Sequence, residues 1–89
     1  MPVVKLFGNL RNQVGKSRLD VPGETVQAAL DVICAGNAAL RAAIFAASGE
    51  VRAHVRVMVN GHDIELAQGL ETPVGAADQI AVFPPMAGG

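Results

Sequence analysis

The chain has 89 residues and a formal charge of −1 at pH 7, with seven Lys plus Arg against eight Asp plus Glu. That length supports one small hydrophobic core and not two. Its basic residues, scattered at positions 5, 11, 16, 18, 41, 52 and 56, do not make the clustered footprint that a nucleic-acid partner demands.

The segment "PVVKLFG" opens the chain with a β-branched run, which predicts a strand over residues 3–7 with Val4 and Leu6 on one face. A short turn or helix through residues 11–14 follows, stopped by Gly15. A second short strand puts Leu19 and Val21 on one side and Arg18 and Asp20 on the other, before Pro22-Gly23. The two strands read as a hairpin-like start. The period then changes to a helical one: Val26, Ala29, Leu30 and Ile33 form one stripe, Thr25 stands at the N-cap position, and Gly36-Asn37 is a stop. A second helical segment carries Leu40, Ala43, Ile44 and Ala47, terminated by Gly49.

Alternation returns in "VRAHVRVMV", where Val51, Ala53, Val55, Val57 and Val59 oppose Arg52, His54, Arg56 and Met58, so a strand is expected over residues 51–59. Asn60-Gly61 is a hairpin turn, because both residue types tolerate positive φ. Residues 63–78 are irregular, with Leu66 and Leu70 as anchors, and "QIAVF" is a last strand ended by Pro84-Pro85, which cannot donate ladder hydrogen bonds. The first and last strands lack a close partner in sequence, so parallel pairing in the sheet centre is the economical solution. The class is α+β: a mixed sheet packed on a main helix, with an additional short helix.

Chemistry-bearing residues are few. His54 and His62 have no matching ligand spacing, so no metal site is assigned. The single Cys34 cannot form an internal disulfide and reads as a small buried hydrophobe. No apolar run approaches the roughly 18 residues of a membrane span, and no charged-then-apolar leader precedes the first strand. A cytoplasmic protein without a membrane is the expectation. No glycine loop for phosphates and no Ser-His-Asp grouping is present, so an active site of its own is not expected.

The end, "FPPMAGG", is the unusual feature. Residues 1–83 read as the folded domain and 84–89 as an extended tail, since the proline pair favours a polyproline-like path. Glycine at positions 88 and 89 lets another protein approach the backbone closely. The terminal carboxylate is ionised at neutral pH and a poor acyl electrophile, so it would need activation from outside.

Taken together, "VKLFGNLRNQVG", "ETVQAAL", "VMVNG" and "DQIAVFPPMAGG" resemble the ubiquitin-like β-grasp sulfur carriers, the MoaD/ThiS family, and among them most the small subunit of molybdopterin synthase. The resemblance implies a β-grasp fold and a chain that binds no cofactor itself. An E1-like adenylating enzyme would use ATP and Mg²⁺ to activate Gly89. A sulfur donor protein would convert the adduct to a thiocarboxylate, and the large subunit of molybdopterin synthase, in a heterotetramer, would receive the sulfur for molybdenum cofactor biosynthesis. By position, Gly89 supplies the reacting carbonyl and Gly88 steric clearance. Ala87 and Met86 track the partner's channel, while Phe83, Pro84 and Pro85 form an apolar base at the interface. Delivery of sulfur to a thiamine, cysteine or thiolated-metabolite pathway, or conjugation to lysines as a ubiquitin-like modifier, are the alternatives.

Overall fold

The β-branched opening forms β1 (Val3–Leu6) in the computed structural model, which describes residues 1–85. Met86, Ala87, Gly88 and Gly89, four of the expected site residues, lie outside the described residues. After β1 the chain turns into a 3-10 segment, Gly8–Gln13, earlier and longer than the expected turn, because buried Leu10 docks it onto the core. It separates β1 from β2 (Arg18–Asp20), which pairs antiparallel with β1 as expected, though through a longer connection than a tight hairpin turn.

Helix α1 (Val26–Cys34) begins where Thr25 accepts a hydrogen bond from the Ala28 N–H at 3.1 Å. Its apolar stripe of Val26, Ala29, Leu30 and Ile33 is buried, joined by Cys34. Helix α2 (Ala38–Ile44) is capped by Asn37, which accepts from the Leu40 N–H at 3.0 Å. It is shorter than the sequence pattern suggested: Phe45 leaves helical geometry to bridge Val51, so Ala47 is exposed instead of continuing the stripe.

The strand expected over 51–59 is cut in half. Only β3 (Arg56–Val59) pairs in the sheet, and His54 sits at φ +72, a left-handed conformation that breaks the extended path. Val51 and Val55 are nevertheless held against the core one at a time, which is why they mimic strand alternation. The reversal at Asn60-Gly61, at φ +51 and +84, fits a turn with two left-handed residues and leads into β4 (His62–Asp63). In the irregular stretch that follows, Ile64 is buried and Leu66 is 86% exposed, so Ile64 replaces Leu66 as an anchor, while Leu70 packs at the core edge as expected.

The last strand, β5 (Gln79–Phe83), lies between β1 and β3 and gives the sheet order β2-β1-β5-β3-β4. It is parallel to β1 and antiparallel to β3. The register aligns Leu6, Val82 and Val57 in one row and Val4, Ile80 and Val59 in another, both on the face that meets α1. Each fully buried aliphatic side chain contributes about 1.5–3 kcal/mol of transfer free energy. These rows fix the register, because a slip by one residue would exchange the faces of the whole strand.

Candidate functional site

With one face of the sheet committed to the core, alternate residues point outward, and the register assembles them. Arg18, Lys5, Ala81, Met58 and Asp63 form one row across all five strands. Phe83 lies opposite Arg56 in the next row. Beside Phe83, Phe7 stacks its ring at 4.4 Å between centroids and 12° between planes. Phe7 is 39% exposed, a large apolar group left at the surface. The outer face thus has an apolar centre of Phe7, Phe83, Met58 and Ala81, with cations on both flanks.

The cations differ in how they are held. Arg56 donates from Nη1 to Asp63 Oδ2 at 3.1 Å, a pair that leaves most of the Arg56 side chain in solvent. Lys5 and Arg18 are directly opposed like charges, and neither takes part in the two ion pairs of the described residues. Opposed like charges on neighbouring strands cost stability. An acidic partner would offset that cost. Arg52, expected to share a strand face with Arg56, instead lies outside β3 and donates from Nε to the Ala42 carbonyl.

The described part of the expected tail begins on this face. Phe83 is half-buried, Pro84 half-buried, and Pro85 exposed. His54 and His62 are exposed, and among the described residues no three His, Cys, Asp or Glu side chains gather into a metal set. A cleft of about 420 Å³ between residues 50–57 and 63–70 holds Arg52, His54 and Arg56 together with Glu50, Asp63 and Glu65. Its charges offset one another, so it lacks the single-signed lining that gathers anions.

A family model described as the ThiS family matches residues 4–89. The chain belongs to the ThiS family. Within that family it is 38% identical over 88 residues to small archaeal modifier protein 1 of Haloferax volcanii, covering 96% of this chain and 97% of that one. The solution structure of small archaeal modifier protein 1 from Methanosarcina acetivorans superposes with a TM-score of 0.88 at 33% identity, covering 99% and 95% of the two chains. The crystal structure of the Amycolatopsis orientalis BexX/CysO complex gives a TM-score of 0.87 at 26% identity, with full coverage of both chains. The ubiquitin-like β-grasp expected from the sequence is therefore the fold.

The sequence pattern singled out Phe83, Pro84 and Pro85 where β5 ends. Sequence reasoning missed Phe7, Lys5, Met58 and Ala81. They sit on or beside three strands, and only the parallel alignment of β1 with β5 brings Phe7 beside Phe83. The available signal was the exposure parity of Phe7, which falls off the face of Val4 and Leu6 in a period-two strand.

Proposed function

We propose that the chain is a ubiquitin-like sulfur carrier whose Gly89 carboxylate is activated by an E1-like adenylating enzyme and converted to a thiocarboxylate. The observation that carries this reading is the ThiS family match, which runs through the terminal Gly-Gly. The carboxylate oxygen attacks the α-phosphorus of ATP, with Mg²⁺ held by the enzyme, and pyrophosphate leaves. Sulfide-level sulfur brought by a donor protein then attacks the acyl carbon and displaces AMP, leaving the sulfur on Gly89. Adenylation is needed because a carboxylate is a poor electrophile and AMP is a good leaving group.

The outer sheet face supports the docking half of this reading. Its apolar centre of Phe7, Phe83 and Met58 runs into Pro84, and Lys5, Arg18 and Arg56 surround it. Aromatic and Met anchors with a charged rim are the usual anatomy of a protein interface. Gly88, Ala87 and Met86 would follow into the enzyme's channel.

The sulfur acceptor is the finer question. Delivery to the large subunit of molybdopterin synthase is one destination, and thiamine, cysteine or another thiolated product is another. A second reading, conjugation to lysines, is favoured by the 38% identical relative, which is named a modifier protein. Both outcomes share the activated Gly89. Incubation with the adenylating enzyme of the same organism, ATP, Mg²⁺ and a sulfur source should replace one oxygen by sulfur in the intact mass, and deletion of Gly89 should abolish the change. An unchanged wild-type mass, with no adenylate captured, would overturn the reading. Lysine conjugates recovered from cells without any thiocarboxylate would favour the modifier. Co-purification with a pterin-binding large subunit would select the molybdopterin destination.

A further inference from the structure

The ladder between the first and last strands stops at Leu6 and Val82, and one further hydrogen bond follows, from the Phe7 N–H to the Val82 carbonyl at 3.1 Å. Beyond it the two chains remain together through side chains. Phe7 stacks on Phe83, and the Pro84 ring lies on the backbone of Gly8. A Cβ built on Gly8 would stand 2.7 Å from Pro84 Cγ and 3.4 Å from its Cδ. The first distance is closer than real Cβ atoms come, and the Pro84 ring is not a flexible side chain that can swing aside. Gly8 is also at φ +59, where the chain leaves β1 for its 3-10 segment. Glycine is thus favoured by conformation here and demanded by space. Gly15, by contrast, has φ +81 and nothing within 4 Å of the place a methyl group would take, so only the left-handed conformation favours glycine there.

Pro84 fixes its own φ through the ring. Pro85 in turn restricts the ψ of Pro84 to extended values, so the seat of the Pro84 ring guides the direction in which the chain leaves at Pro85. We propose that Gly8 is a positioning residue for the start of the C-terminal tail: its bare backbone seats Pro84 and so sets the direction in which the chain leaves the sheet at Pro85. This inference rests on the carrier reading. Its effect falls chiefly on the chemical step, because Phe7, Phe83, Met58 and the cations of the docking face keep their places when only the seat of Pro84, at the edge of that face, is filled.

The test is steady-state adenylation of the full-length chain, with a free C-terminus, by the adenylating enzyme of the same organism. Asn tolerates left-handed backbone, so Gly8→Asn fills the space at little conformational cost. Misplacement of a reacting group by about 1 Å can cost about 100-fold, so kcat should fall about 10- to 100-fold with KM within about twofold. Gly15→Asn should behave like wild type. Pro84→Ala removes the ring, and Gly8→Asn/Pro84→Ala should match Pro84→Ala alone, since neighbours that share one contact are not additive. A nuclear Overhauser contact between the Gly8 Hα and Pro84 ring protons should be present in the free wild-type chain. Should Gly8→Asn fail to fold, Pro84→Ala approaches the same contact from the other side and should lower kcat about tenfold, with any accompanying rise in KM reporting the place of Pro84 at the docking face; wild-type kcat in that variant would overturn the role.

Wild-type kcat in Gly8→Asn, a loss that adds independently to that of Pro84→Ala, or a rise in KM alone would each overturn the positioning role. Absence of the Gly8–Pro84 contact from the free chain would do so without any enzyme. A wild-type chain that is never adenylated is a different failure, because it removes the carrier reading itself.

Discussion

Asp78 accepts hydrogen bonds from the Gly75 N–H at 2.7 Å and from Asn60 Nδ2 at 2.8 Å. These, the backbone bond first, hold its carboxyl below the usual carboxylate range. The stabilisation is complete above the ordinary Asp value of about 3.9 and is lost as pH falls toward the lowered one. Asp78→Asn should therefore be less stable than wild type at neutral pH, with the difference closing on acidification in urea titrations. Cys34 moves the opposite way: burial pushes its thiol up, against the nearby Arg41, while Asp31 adds to the rise. Its contribution is complete below the ordinary thiol value of about 8.5 and declines as pH rises toward the raised one. Alkylation of native protein at pH 8 should be slow and become rapid on unfolding, as mass spectrometry would follow. Equal rates in both states would contradict the buried placement.

At the scale of elements, caps divide the helical middle of the chain. The Thr25 side chain has one task, and Thr25→Ala should cost about 1 kcal/mol. Asn37 has two: its Oδ1 caps α2, and its Nδ2 donates to the Gln13 carbonyl at 2.9 Å, tying α2 to the 3-10 segment after β1. Asn37→Asp keeps the cap acceptor and loses the donor, so in chemical denaturation its loss should fall between wild type and Asn37→Ala. The Thr25 cap was legible in sequence, because Ser, Thr, Asn and Asp have a physical reason to stand before a helical stripe; Asn37 read only as a stop to α1, and its part as the cap of α2 came from the structure. The length of β3 was not. Val51 and Val55 repeat the alternation of a strand, yet His54 turns the backbone, and each valine finds the core by a separate route.

For the molecule as a whole, the outer sheet face has a charge pattern that a partner should feel from a distance. Lys5→Glu with Arg18→Glu should slow association with the adenylating enzyme about tenfold at low salt, with a smaller difference at high salt, since steering of this kind is screened. Stopped-flow binding at two ionic strengths reads this directly. An association rate unaffected by the reversal would assign the docking surface elsewhere. The same variant should be no less stable than wild type, because it removes Lys5 and Arg18 as opposed like charges only to replace them with another like pair.

The amino-acid order alone determined which residues face the core of β1 and α1, where α1 begins, and that the chain ends in a proline pair followed by Gly-Gly. Those are local properties: side-chain period, capping chemistry and the missing N–H of proline act within a few residues. Only the tertiary structure decided that Phe7 stacks on Phe83, that Lys5 meets Arg18, and that Gly8 lies under Pro84. The first and last of those contacts join opposite ends of the chain, and they exist because β5 enters the sheet parallel to β1 in one register. That register is selected by the burial of Val4, Leu6, Ile80 and Val82 together, a cooperative choice that no short segment makes by itself.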